Sequence, residues 1–172
     1  IHLVETKKDI SELNFYKDDK IAYVTQTTLS VDDTQDMIAE LRNKFPKIES
    51  SPKEDICYAT SNRQNAIKEY ANKCDAFIVV GSKNSSNSNR LVEVAINAGC
   101  LNSHLLENAK SLNVSNYSSY NTIGISSGAS VPEVLVENVI SKFQENYSLE
   151  IENVSLGEEN VQFKLPKEVR NQ

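Results

Sequence analysis

The chain has 172 residues, 39% of them hydrophobic, and its 18 Lys and Arg against 24 Asp and Glu give a formal net charge of -6. That length can bury one good core or two small ones, and an acidic balance with no basic block argues against binding to the phosphate backbone of DNA or RNA. No apolar run approaches the length of a membrane span, and nothing at the start resembles a signal peptide.

Residues 1–4 read as a strand end, followed by a charged, helix-like stretch to about Tyr16. Residues 21–24 form a short apolar strand that ends in Thr25, Gln26, Thr27 and Thr28. Ser30 then begins a capping pattern, and Met37, Ile38, Leu41 and Phe45 mark the apolar face of a helix that Pro46 ends. Residues 46–54 are polar, hold two prolines and read as a connector. Residues 61–64 read as a capping box opening a helix with Ile67, Tyr70, Ala71 and Cys74 on one face.

Residues 76–80, Ala-Phe-Ile-Val-Val, make a continuous apolar run of the kind that forms a strand buried on both faces, and the run stops at Gly81. A polar stretch follows to Arg90. From Leu91 onward Leu91, Val94, Ala95 and Ala98 repeat at helical spacing, with Gly99 as the stop. A weak strand near residues 103–105, a short helix to Leu112 and a polar surface excursion over 113–121 come next. Residues 122–125 read as a strand and 126–130 as a small-residue turn. Residues 130–133 then cap a helix carrying Leu135, Val136, Val139, Ile140 and Phe143. Residues 149–154 and 161–165 resemble edge strands, before a charged tail.

Strand, hydroxyl-rich loop and helix thus recur at residues 25–30, 82–88 and 126–130. The expected fold class is α/β, built of repeated β-loop-α units with parallel sheets. In such folds loops at the carboxyl edges of the strands converge on one crevice, here with Cys57. A helix start there offers unpaired N–H groups and a partial positive charge to an anion, and Ser85, Ser86, Asn87 and Ser88 add hydroxyl and amide donors. The alternative is that these residues only cap the helix and fill a solvated loop.

Cys57, Cys74 and Cys100 have neither an even count nor C-x-x-C spacing, which argues against a disulfide framework or zinc knuckle and fits a reducing compartment. Cys57 precedes a helix start, where the dipole favours thiolate, and reads either as a nucleophile or metal ligand or as a small packing residue. Cys74 completes a helix stripe and Cys100 follows a helix stop. His2 and His104 are the two histidines and neither sits in a motif, so no base for nucleophilic catalysis is evident.

Residues 25–34 (TQTTLSVDDT), 55–60 (DICYAT) with Asn62, Arg63 and Gln64, Gly81 to Arg90, and Gly128, Ala129 and Ser130 with Pro132 together resemble the 4-hydroxy-3-methylbut-2-enyl diphosphate reductase family. The resemblance implies a trefoil of three α/β domains around a 4Fe-4S cluster, each domain lending one cysteine. It further implies reductive dehydroxylation of an allylic diphosphate to isopentenyl and dimethylallyl diphosphates, with electrons from a ferredoxin or flavodoxin. Cys57 would be the last of the cluster ligands, Ser85, Ser86, Asn87 and Ser130 would hold the diphosphate, and Thr27 would lie by the substrate hydroxyl.

The family's amino-terminal domain, two cluster cysteines, diphosphate-binding histidines and proton-donating glutamate have no counterpart here, and Ile1 stands in place of an initiator Met. The expectation is therefore a carboxyl-terminal portion, processed or truncated and inactive alone. It divides into the end of a second domain at 1–53, a third domain at 54–144, and a tail at 145–172 packing on the missing first domain. The family occurs in plastids and in the bacterial cytoplasm, and the Asn-rich segment 113–121 resembles insertions in apicomplexan proteins, which points to a relict plastid (apicoplast) stroma. A non-catalytic α/β module binding an anionic phosphate ligand is the alternative function.

Overall fold

The computed structural model describes residues 1–16, 19–51 and 55–156. A strand with large apolar side chains on both faces needs cover on both, and β3 (Ala76–Val80), with all five residues buried, is the axis on which the fold is built. It lies between β4 (Ser103–Leu106) and β5 (Ile123–Ser127), parallel to both, in the order β4-β3-β5. Its side chains alternate. Phe77 and Val79 pack with Ile67, Ala71, Leu91, Val94, Ala95 and Cys100 from α3 (Tyr58–Tyr70), α4 (Ser86–Asn97) and their flanks. Ala76, Ile78 and Val80 pack with Leu106, Leu112, Tyr117, and Val139 and Phe143 of α5 (Glu133–Gln144).

A smaller parallel pair, β1 (Ala22–Tyr23) and β2 (Glu49–Ser50), is joined by α2 (Val31–Lys44) and flanked by α1 (Lys7–Glu12). Ser30 caps α2 by accepting from the Asp33 N–H at 3.3 Å, as its position predicts. Lys44 at the other end reaches the carbonyls of Ile10 and Ser11 at 2.8 and 2.7 Å, which ties α1 to α2.

Several boundaries depart from the sequence reading. Residues 46–54 are not only a connector, because β2 lies within them; a strand of two exposed residues carries no hydrophobic signal. Helix α3 begins at Tyr58 with Cys57 as its N-cap, so Ser61 lies inside the helix, where its Oγ donates to the Cys57 carbonyl, and there is no capping box. Helix α4 starts five residues before Leu91, and its polar first turn hid that start. Strand β5 runs on through Ser126 and Ser127, which pair with Val79 and Val80. Ser130 does not cap α5, whose N-cap is Pro132 without a side-chain bond. The 113–121 segment is a mostly exposed excursion as expected, but Tyr117 anchors it in the core, with its Oη 2.5 Å from His104 Nε2. Residues 1–4 and 149–154 form no strand, and 161–165 lie outside the described residues.

Gly99 terminates α4 with φ of 109°, the left-handed conformation that glycine adopts without steric cost. Gly124 is required for a different reason: a Cβ there would enter the Phe77 ring and come within 3.0 Å of Cys74 Sγ. Gly124→Ala should therefore destabilise the fold by about 1–3 kcal/mol through overpacking, read as a lower urea midpoint at unchanged slope.

At the opposite edge from the loops, Asp75 accepts the N–H groups of Thr122 at 3.0 Å and Asn121 at 2.8 Å, and these bonds hold its carboxyl below the usual carboxylate range. A carboxyl depressed in the folded state gives stability that is complete above its unfolded pKa and is lost as pH falls through the folded one. Asp75→Asn should flatten the acid side of the stability profile relative to wild type, measured as denaturation midpoints from pH 7 downward.

Candidate functional site

Parallel strands deliver their following loops to one edge, and here β3 and β5 do so side by side. Gly81 N–H bonds the Leu106 carbonyl and Gly128 N–H bonds the Val80 carbonyl, both at 3.0 Å, so both loops leave the sheet under backbone control. Between them sits Ser88, fully buried in the first turn of α4. A Cβ on either Gly81 or Gly128 would collide with Ser88 Oγ. Ser88 therefore pins the start of α4 onto the carboxyl ends of two strands.

Ser85 is the N-cap of α4: its Oγ accepts from Ser88 N–H at 3.2 Å and from Ser88 Oγ at 3.0 Å. The N–H groups of Ser86 and Asn87 stay among the unpaired donors that every helix start carries. Ser86 is exposed, whereas Asn87 is 8% exposed and its buried Oδ1 has no hydrogen-bond partner among the described residues. Rotation of that amide exchanges Oδ1 for Nδ2, so the same position can offer a donor. Ser130 lies two residues beyond Gly128 and is exposed; no hydrogen bond to the 85–87 turn is present among the described residues.

Thr27 is exposed in the loop after β1, and its carbonyl accepts the Cys57 N–H at 3.2 Å. This backbone bond places Thr27 and Cys57 side by side. Cys57 is exposed and makes no side-chain capping bond. Arg90, one turn into α4, lies 2.5 Å from Glu93 and 3.6 Å from Asp33 of α2, so its charge is turned along the helix and towards the smaller unit.

Cys74 and Cys100 sit at the other edge, where Cys100 Sγ donates to the Cys74 carbonyl and Cys74 Sγ to the Tyr70 carbonyl, each at 3.4 Å. Burial, and then the neighbouring Cys100, pushes the Cys74 thiol up. The 13 residues of α3 separate that edge from Cys57 by about 20 Å at ~1.5 Å per residue. Among the described residues no group of three or more His, Cys, Asp and Glu is arranged to hold a metal ion. Both histidines are engaged in packing, His2 against Phe15 and His104 against Tyr117.

Two concavities are lined by none of Ser85, Ser86, Asn87, Ser130, Thr27 and Cys57. One of about 270 Å³ is lined by Lys83, His104, Glu107 and Tyr117 among others, and one of about 530 Å³ lies between Lys110 and Leu135, Asn138 and Lys142 of α5. Gln64 and Asp55 stand in the family motif by sequence, but their bonds to the loop after β1, made by Gln64 to Leu29 and Val31 and by Asp55 to Thr25, were not foreseen. Gln64 falls on the inward stripe with Ile67 and Ala71, and that periodicity was the available signal.

These features define an α/β protein of parallel β-loop-α units whose strand-end loops carry helix-start amides, hydroxyls and one exposed thiol. The chain belongs to the LytB protein family, whose pattern matches residues 1–144. It is 49% identical over 168 residues to the 4-hydroxy-3-methylbut-2-enyl diphosphate reductase of Roseobacter denitrificans, covering 98% of this chain and 53% of that protein. The same enzyme of Beijerinckia indica is 49% identical over 170 residues, again with 53% of its length covered. Among solved structures, the E-1-hydroxy-2-methyl-but-2-enyl-4-diphosphate reductase from Plasmodium falciparum superposes with a TM-score of 0.85 at 39% identity, over 97% of this chain and 53% of that one. The chain spans about half the length of the curated relatives it matches.

Because Arg90 is exposed to solvent screening at its partners, its ion pairs are worth about 0.2–1 kcal/mol. Arg90→Ala should lower stability by no more than that, with the difference shrinking as salt rises from 0.05 to 0.5 M in matched denaturation curves.

Proposed function

We propose that this chain is the carboxyl-terminal portion of a 4-hydroxy-3-methylbut-2-enyl diphosphate reductase. The reaction takes the allylic diphosphate, two electrons and two protons to isopentenyl or dimethylallyl diphosphate and water. The observation that carries the reading is the open first turn of α4, where the buried Asn87 Oδ1 lacks a partner among the described residues and the next residue, Ser88, seats against Gly128. Ser85, Ser86 and Asn87, with Ser130 from the neighbouring loop, hold the diphosphate, and Thr27 faces the substrate hydroxyl. A diphosphate accepts hydrogen bonds only, so neutral donors and the helix dipole suffice to hold it.

A 4Fe-4S cluster, when bound, supplies the electrons, received in turn from a ferredoxin or flavodoxin. The residues present fit one ligand position: Cys57 is exposed, uncapped and beside Thr27. A cubane needs several thiolates, and Cys74 and Cys100 are bonded into the far edge, so the remaining ligands belong to the amino-terminal part of the full-length protein. On this reading residues 1–53 end the second domain and 54–144 form the third. The segment from 145 packs on the first domain, in keeping with the exposed Leu149, Ile151, Val154 and Leu156. No helix among the described residues is long and apolar enough to cross a membrane. The bacterial relatives are in keeping with a bacterial cytoplasm, and the likeness to the parasite structure with a plastid (apicoplast) stroma.

The test is anaerobic reconstitution of the full-length parent, with iron content and both diphosphate products measured. Cys57→Ser should lose stoichiometric iron, and Ser86→Ala should weaken substrate binding by about 1.5–3 kcal/mol, the worth of a hydrogen bond to a charged group. Binding of inorganic diphosphate without iron or turnover in the parent would favour a non-catalytic anion-binding module instead.

A further inference from the structure

The loop after β1 is bonded to the larger unit at alternate residues, as a strand is bonded to its neighbour. Thr25 donates its N–H to Asp55 Oδ2 at 2.8 Å, and its hydroxyl lies 3.4 Å from the same oxygen. The Thr27 carbonyl takes the Cys57 N–H at 3.2 Å. The Leu29 carbonyl takes Gln64 Nε2 at 2.8 Å, and the Val31 N–H gives to Gln64 Oε1 at 3.0 Å. Residues 25, 27, 29 and 31 thus all face residues 55–64, and the last two of the four links are made by one side chain.

That side chain is 0% exposed, on the same stripe of α3 as Ile67 and Ala71, where an apolar residue would otherwise sit. A buried primary amide is costly unless satisfied. Here it is satisfied by one backbone acceptor and one backbone donor on either side of Ser30, the residue that caps α2. Gln64 therefore stands in for the missing backbone of a neighbouring strand, and it clamps the loop one turn of chain away from Thr27. Lys68, one turn further along α3, adds a bond to Asp32 at 2.7 Å.

We propose that Gln64 is a positioning residue, which through the 29–31 turn holds Thr27 in register with Cys57 and so sets the substrate hydroxyl against the metal-ligand edge. This rests on the reductase reading for its catalytic meaning, whereas the clamp itself is a matter of hydrogen bonding alone. Misplacing a reacting group by about 1 Å can cost on the order of a hundredfold in rate, and loss of the clamp frees the loop by that order of distance.

The experiment uses the full-length parent with Gln64→Met, which keeps the volume and removes both hydrogen bonds, and Gln64→Glu, which keeps the shape and removes the donor to Leu29. Amide hydrogen exchange read by mass spectrometry is the first measurement and needs no activity. Peptides covering 25–31 and 55–60 should exchange at least about tenfold faster in the variants, while the peptide covering β3 stays protected. The second is the kinetic split: kcat should fall by about ten to a hundredfold while the dissociation constant for inorganic diphosphate changes less than threefold. Unchanged exchange at 25–31, or faster exchange with kcat unchanged in an active parent, would overturn the proposal. If Gln64→Met does not fold, Gln64→Glu carries both measurements. If the wild-type parent shows no turnover, the reductase reading fails while the exchange data still decide whether Gln64 is the clamp.

Discussion

The strand-end loops depend on one steric constraint: Ser88 occupies the space that a side chain at Gly81 or Gly128 would need. Two parallel strands and the helix between them meet at this single buried hydroxyl, which is bonded to the Ser85 cap. Because the contact is made by the first turn of α4, it fixes the direction in which that helix presents its unpaired amides. The exposed Ser86 and the unsatisfied Asn87 then follow from helical geometry, one residue either side of the line through Ser85 and Ser88. A bulkier residue at any of the three positions would separate the strands' loops before it touched a ligand.

The same arrangement bears on how an acidic chain would present the proposed anion site. Arg90, the arginine nearest the turn in sequence, is committed to Glu93 and Asp33, and Lys83 is exposed on the other side of the loop, lining a separate concavity. What remains at the turn is neutral. Neutral donors that are already ordered by capping bonds select for geometry rather than for charge alone, so competition from other anions is set by how many oxygens they can present at once.

Burial on both faces was legible in the sequence wherever apolar residues carry it: β3 announced itself through five consecutive apolar residues, and the stripe of α4 from Leu91 onward was equally plain. Polar elements were not legible for the same reason. The first turn of α4 is Ser86, Asn87 and Ser88 with no apolar residue, β2 has none and is short and exposed, and β5 ends in two serines. That the loops after β3 and β5 leave from one edge was legible, since both strands are parallel members of one sheet; the loop after β1 belongs to the other sheet, and only its contact with Cys57 is seen. How they are fastened was not. Ser88 reads in sequence as one more polar loop residue, and only its seat between Gly81 and Gly128 gives it meaning.

Gln64 carries the same lesson to the joint between the two sheets. Its position three and seven residues before Ile67 and Ala71 is an inward position by helical periodicity, so a polar residue there conflicts locally with the pattern around it. Such conflicts persist when something elsewhere compensates. The compensation is the backbone of Leu29 and Val31, groups that would themselves be left unpaired where the smaller sheet ends. Each side supplies what the other lacks: the loop has an orphan acceptor and donor, and the helix has an amide with one of each. An apolar residue at 64 would suit α3 and leave the loop unsatisfied. The joint is therefore specific in a way that two apolar faces would not be, because only one register of the 25–31 segment matches both atoms of one amide while Cys57 reaches Thr27.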